Sequence, residues 1–192
     1  MTRKGLLIRD GFLTAAFLGL VWLAADKLAD TAEERMSGQA RVVDGDTLVL
    51  GKERIRLLGI DAPERAQMCV RPAGDWACGH EASRHLARLI GDDGVICRGG
   101  SRDRYGRSLS TCTSGGEVLN ARMVSDGYAV AFGGYEREQA EARRAGRGIW
   151  SGSFDLPKEW RAKHGGMAEA PHMGMDGLKA LLRHFEALWT TP

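Results

Sequence analysis

The chain has no excess of charge of either sign. Its 27 Lys and Arg stand against 25 Asp and Glu, a formal net charge of +2, and both signs are spread from end to end. That excludes a polybasic tail that grips nucleic acid by charge alone, so any work on a polyanion must rest on a few placed arginines. Proline is scarce at 5 and the 26 glycines follow no period, which excludes collagen and low-complexity chains. No internal repeat is visible. None of the four cysteines belongs to a CxxC pair, which argues against a zinc site. No apolar run reaches the roughly 20 residues that a spanning helix wants; Gly11–Ala25 comes nearest, with fifteen residues free of charge. What is present, 192 residues of which 43% are hydrophobic, suits one domain of ordinary size with appendages.

The N-terminal pattern points to export. Residues 1–10 carry Arg3, Lys4 and Arg9, and the apolar run 11–25 follows, the order of a secretory signal. The run is compatible with an uncleaved signal-anchor and with a cleaved signal, although Leu23 is large for a position three before a cut. Positive charge ahead of the run leaves the N-terminus in the cytoplasm and sends the rest outward. The expected location is therefore the bacterial inner membrane facing the periplasm, or the exterior after cleavage.

The cysteines agree. Cys69, Cys78, Cys97 and Cys112 allow three pairings. Cys97 closes one apolar strand and Cys112 another, and the loop between them reads as a hairpin centred between Arg104 and Tyr105. That hairpin sets Cys97 opposite Cys112 and leaves Cys69 and Cys78 to close a short Pro-, Gly- and Asp-rich loop. Two disulfides in an oxidising compartment are the expectation.

Residues 26–39 are polar and helix-compatible and read as a stalk. Short strand patterns follow at 41–43, 47–50 and 53–58, with Gly51-Lys52 as a tight turn, and again at 95–98 and 108–112. Helical spacing covers 80–90, with Ala82, Leu86, Leu89 and Ile90 on one face, then 117–126 and 136–145. The expected fold is α+β, mainly β: a five-stranded OB-fold-type barrel in meander order carrying three helices, over residues 40–161. Residues 162–175 read as a flexible linker. Residues 176–189 form an amphipathic pattern with Leu178, Leu181, Leu182, Phe185, Leu188 and Trp189 on one side, suited first to docking on its own domain.

Three segments carry chemistry. Val43-Asp44-Gly45-Asp46-Thr47 puts two carboxylates around a glycine at a strand end. Arg56-Leu57-Leu58-Gly59-Ile60-Asp61-Ala62-Pro63-Glu64 runs from a strand into a turn that collects Asp61 and Glu64. Asp103-Arg104-Tyr105-Gly106-Arg107 is a basic hairpin tip with one aromatic. Hard oxygen ligands, a spare carboxylate and several guanidinium groups suit attack of water on a phosphodiester: carboxylates hold a divalent cation, arginines neutralise growing charge, and a carboxylate handles the water's proton. The five histidines have no spacing of ligands and read as surface residues.

In order and spacing these segments, followed by Gly148-Ile149-Trp150, resemble the thermonuclease family over roughly residues 40–150; Phe154, Pro157 and Trp160-Arg161 look like its bacterial branch. The resemblance implies a monomeric, calcium-dependent nuclease that cuts DNA and RNA with little sequence preference, favouring single-stranded or locally unpaired substrate. By motif position Asp46 and Asp61 would bind calcium together with the backbone carbonyl of Ala62. Glu64 would be the general base, Arg56 and Arg107 would bind the scissile phosphate, Arg104 and Tyr105 the neighbouring one, and Tyr135 would stack on a base or line the cleft. Ala62 stands where the staphylococcal protein has threonine, which costs little because only a backbone oxygen is needed. Asp44 reads as a turn cap, with support of the cation's ligands as the alternative. A non-catalytic nucleic-acid-binding module and an envelope interaction protein are the competing classes; the full set of carboxylates and both arginines argue against the first.

Overall fold

A computed structural model describes residues 13–23 and 34–165. The chain divides into two compact units, residues 1–34 and 35–192. In the first, residues 13–23 form a helix, α1, whose Leu13, Phe17, Leu18, Leu20 and Trp22 are exposed. Among the described residues no helix is long and apolar enough to cross a membrane. The basic segment 1–10, the stalk before residue 34, the linker beyond residue 165 and the C-terminal amphipathic pattern lie outside the described residues.

The second unit is built on one sheet. Its strands are β1 (Glu34–Gly38), β2 (Ala40–Val42), β3 (Thr47–Leu50), β4 (Glu53–Leu57), β8 (Val95–Arg102) and β9 (Ser108–Ser114), in the spatial order β1-β8-β9-β4-β3-β2, with β10 (Glu117–Val118) added to β9. β1 and β2 are separated only by Gln39 yet hold the two ends of that order. One bent segment thus pairs β8 at its start and β3 at its finish, and the sheet curls round on itself. Two short sheets complete the strands: β5 (Ile60–Asp61) with β11 (Val130–Ala131), and β6 (Cys69–Arg71) with β7 (Gly74–Trp76). The helices are α2 (Cys78–Ile90), α3 (Leu119–Ser125), α4 (Glu136–Arg144) and α5 (Pro157–Lys163), with a 3-10 turn at Gly148–Ser151.

The main core joins Leu48, Ile55 and Leu57 of the sheet to Leu86 of α2 and Leu119 and Met123 of α3, all fully buried. α2 turns Ala82, Leu86 and Ile90 inward, as helical spacing dictates. A second cluster gathers Cys69, Trp76, Cys78, Val130 and Ile149, with Phe154 and Leu156 packed against it. It fixes the segment leading into α5 onto the loop closed by Cys69–Cys78. Both expected disulfides form, Cys69–Cys78 and Cys97–Cys112.

The structure corrects the sequence reading in six places. Among the described residues the main sheet has seven strands rather than five, because β1 and β10 join it. Residues 34–38 are sheet, not stalk, because Met36 packs on the core. The strands are not a pure meander: β4 and β9 run parallel, since α2 and β8 intervene. The hairpin closes on Arg102 opposite Ser108, half a residue from the expected centre, because β8 carries a bulge between Gly99 and Ser101. Glu117–Val118 is a strand rather than the start of a helix, paired back on Ser114 and Thr113 through Gly115-Gly116. A fourth helix, α5, closes the unit and carries it past residue 161 to Lys163.

Candidate active site

Arg56 leaves β4 on its inner side and is 3% exposed. The chain then turns at Leu58-Gly59, where Gly59 takes a φ of 79°, and returns along β5. That reversal brings Asp61 back beside Arg56, and pairing of β5 with β11 holds it there. Arg56 Nη2 donates to Asp61 Oδ1 at 2.8 Å, while Nη1 is ion-paired with Asp46 Oδ1. Asp46 Oδ2 accepts the Ala62 amide at 2.8 Å and Oδ1 the Thr47 hydroxyl at 3.1 Å. One guanidinium therefore ties the VDGDT turn to the strand that ends at Asp61.

Glu64 from the turn just beyond, and Arg161 and Arg107 from distant segments, meet these groups. Glu64, a third exposed, accepts Arg161 Nη1 at 2.8 Å on Oε1. The same guanidinium grips Asp61 with both ends, Nη1 to Oδ1 at 3.0 Å and Nη2 to Oδ2 at 2.9 Å. Arg107 arrives from the hairpin, where Asp103 builds the loop: its Oδ1 accepts the Tyr105 and Arg107 amides at 2.8 and 2.9 Å, and its Oδ2 accepts Arg107 Nε at 2.6 Å. Asp44, Asp46, Arg56, Ala62, Glu64, Arg107 and Arg161 line a cavity of about 50 Å³. Such a space holds about three or four water-sized groups.

Gln67 connects this site to α5. Fully buried, it accepts the Glu64 amide on Oε1 at 3.2 Å and donates from Nε2 to the Asp155 carbonyl at 2.7 Å. The Gly79 amide, next to the bridged Cys78, donates to the Gln67 carbonyl at 3.2 Å, so the end of the Cys69–Cys78 loop is tied to the segment that carries Glu64.

Burial and the neighbouring Asp46 push Asp44 up to about 7. Burial acts on Asp46 in the same direction, but the Arg56 charge and the Ala62 amide outweigh it and hold Asp46 below the usual carboxylate range. At Asp61 burial raises the carboxyl while the two guanidinium groups act against it. Arg161 is raised despite its own burial, because Asp61 and Glu64 hold its proton.

Of the residues singled out by sequence, Asp46, Arg56, Ala62, Glu64 and Arg107 line one cavity, and Asp61 is bound to two of the cavity's arginines. Arg56 differs from expectation in its commitment: buried carboxylates need a counter-charge, and it supplies one to Asp46 and Asp61. Arg104 and Tyr105 sit at the hairpin tip, with the guanidinium carbons of Arg104 and Arg107 at 5.0 and 5.2 Å from the Tyr105 ring. Tyr135 is outside the cavity lining; it is half-buried, caps α4 with a φ of 67°, and its ring lies beside Gly59. Asp44 does cap its turn, accepting the Asp46 amide at 3.1 Å. His85 is no surface residue: it stacks on Tyr128 at 4.1 Å and bonds Asp126 at 2.9 Å. Arg161 and Asp103 had no assigned role in the sequence. Arg161 lies in a conspicuous Trp-Arg pair, but only the folding back of α5 gives it a place.

Two carboxylates and a main-chain oxygen are hard donors of the kind calcium takes, with water and phosphate completing the shell. Asp46, Asp61 and Ala62 fit that chemistry. Among the described residues no three His, Cys, Asp or Glu side chains converge as a ready metal cage.

The staphylococcal nuclease homologue family model matches residues 54–152. Among relatives, succinoglycan biosynthesis protein ExoI of Rhizobium meliloti (strain 1021) is 39% identical over 127 residues, 62% of this chain and 66% of that protein. Endonuclease YhcR of Bacillus subtilis (strain 168) is 31% identical over 70% of this chain but only 13% of its own length. An uncharacterized endonuclease of Escherichia coli O157:H7 is 34% identical over 65% of this chain and 82% of its own. The chain thus spans less than two thirds of the first two of these relatives and most of the third. With the match covering β4 through the 3-10 turn, and with it Arg56, Asp61, Glu64 and Arg107, the chain belongs to the staphylococcal nuclease family.

Proposed function

We propose that the chain is a calcium-dependent nuclease that hydrolyses phosphodiester bonds of DNA and RNA with low sequence specificity, favouring single-stranded substrate. The observation that carries this reading is the convergence of Asp46, Glu64 and Arg107, drawn from three separate segments, around one small polar cavity, with Asp61 bonded to two of the arginines that line it. Relatives named as endonucleases support it. Asp46, Asp61 and the Ala62 carbonyl would hold the calcium, which when bound supplies Lewis-acid polarisation of a phosphoryl oxygen. Glu64 keeps part of its carboxylate open and takes the proton of the attacking water as the new phosphorus–oxygen bond forms and the bond to the departing sugar oxygen breaks. Arg107 neutralises charge that grows on the phosphoryl oxygens. Arg56 holds the two buried carboxylates together. Arg104 and Tyr105, exposed at the hairpin tip, meet the next phosphate and its base along the strand.

The same reading extends to location. Two disulfides and a basic, then apolar, N-terminal segment support export, with the protein held at the inner membrane or released after cleavage.

The test is cleavage of single-stranded DNA by the full chain with calcium and with chelator, beside Glu64→Gln. Glutamine still offers Arg161 an oxygen but no base, so the rate should fall about 10²–10⁴-fold. Folded, disulfide-intact wild-type protein that binds DNA without cutting it would make the chain a binding module instead.

A further inference from the structure

Arg161 takes the carboxylate that the calcium reading requires. Its fork covers both oxygens of Asp61, at 3.0 and 2.9 Å, and Arg56 adds a third bond on Oδ1 at 2.8 Å. A divalent cation bound through Asp61 must share or displace the Arg161 bond. The Nη1 that meets Asp61 Oδ1 also donates to Glu64 Oε1 at 2.8 Å, so Arg161 can release Asp61 while the same Nη1 still orients the base.

The position of Arg161 is enforced. α5 begins at the buried Pro157, and the chain ahead of it is held by Gln67 Nε2 on the Asp155 carbonyl and by a backbone bridge between Val70 and Ser153. The Arg161 side chain is 12% exposed. Its charge also matters to the balance of the cavity. Asp46, Asp61 and Glu64 are paired with Arg56 and Arg161, Asp44 lines the same cavity, and Arg107 is paired with Asp103. Without Arg161 these carboxyl groups would face Arg56 and a partly neutralised Arg107, a stronger field for a cation.

We propose that Arg161 competes with the divalent cation for Asp61 and thereby sets the cation affinity of the site, while keeping Glu64 in place. Arg161 is on this view a positioning residue contributed by α5, and the inference rests on the functional reading above. Competition for one group is reciprocal: whatever Arg161 gains from Asp61 is lost to the cation.

Calcium titration calorimetry on the full chain, without nucleic acid, tests this with wild type, Arg161→Gln and Arg161→Lys. Arg161→Gln should bind calcium about tenfold tighter or more, within the range usual for coupled sites. Arg161→Lys should fall between, since an ammonium lacks the planar fork that covers both oxygens. Equal or weaker binding by folded Arg161→Gln overturns the proposal. If circular dichroism shows that variant unfolded, Arg161→Lys decides, and affinity at or below wild type overturns it. Absence of calcium binding in wild type and variants alike also overturns it, because nothing then competes. Cleavage by wild type is scored separately. A wild type that cuts DNA with calcium while the variants bind calcium no better sinks this inference alone; a wild type that does not cut sinks the functional reading.

Discussion

Gly79 offers the sharpest test of how the fold holds the site, because two physical arguments give opposite signs. It lies in the first turn of α2, where alanine is the better helix former by about 1 kcal/mol, so propensity alone makes Gly79→Ala stabilising. The structure says otherwise. A Cβ on Gly79 would overlap the carbonyl oxygen of Glu64 and stand 2.6 Å from its carbonyl carbon and 3.1 Å from that of Arg65. Neither side can yield by rotating a side chain, since both are backbone. The neighbourhood is also pinned: the Gly79 amide donates to the Gln67 carbonyl at 3.2 Å, and the adjacent Cys78 is bridged to Cys69. Forced overpacking costs about 1–3 kcal/mol, and this overlap belongs at the upper end. Set against about 1 kcal/mol of helix gain, the expected net loss is about 2 kcal/mol. The movement that relieves it displaces Glu64 itself, so DNA cleavage should fall at least about tenfold, as a misplacement near 1 Å does. Urea denaturation and single-stranded DNA cleavage check both parts. Ala87→Gly, exposed on the same helix, is the control: it should cost about 1 kcal/mol and leave cleavage unchanged. A Gly79→Ala protein as stable and as active as wild type would refute the packing argument.

Two further outcomes follow from groups outside the cavity. Asn120, fully buried, accepts the Cys112 amide at 2.9 Å and donates to the Leu58 carbonyl at 2.9 Å, joining β9 to the turn before Asp61. Asn120→Ala strands both backbone groups and should cost about 3 kcal/mol in urea denaturation; a loss under about 1 kcal/mol would contradict it. Burial lowers the His85 imidazole below its ordinary value, with the Asp126 carboxylate pulling the other way. The unfolded chain therefore takes up this proton near pH 6.5 while the folded chain still resists, and stability falls as pH drops below about 6.5. His85→Phe keeps an aromatic ring against Tyr128 but cannot titrate, so thermal melts between pH 7 and 5 should show a shallower decline; an unchanged decline would exclude His85 as its source.

Much of this protein was legible in its sequence because the signals are local. Turn residues and period-two or 3.6 patterns placed most strands of the sheet and α2, and a hairpin loop of fixed length set Cys97 opposite Cys112. The site motifs are equally compact: Arg56 and Asp61 are five residues apart, and a tight turn can bring them together without help from elsewhere. What sequence alone did not yield is long in range. β9 buries Ser108, Ser110, Cys112 and Ser114 rather than large apolar residues, so its central place between β8 and β4 leaves little hydrophobic trace. β1 is polar and pairs a strand some sixty residues away, and the closing of the sheet depends on that pairing. Arg56 was expected at the phosphate, and its motif gave no sign that it also supplies the counter-charge of the buried Asp46 and Asp61. Above all, Arg161 reaches Asp61 across a sequence separation of 100, a contact no local pattern encodes. The types of groups that do the chemistry are written in three short motifs; which guanidinium faces which carboxylate is decided by how α5 and the Cys69–Cys78 loop pack, since only burial makes those charges seek each other.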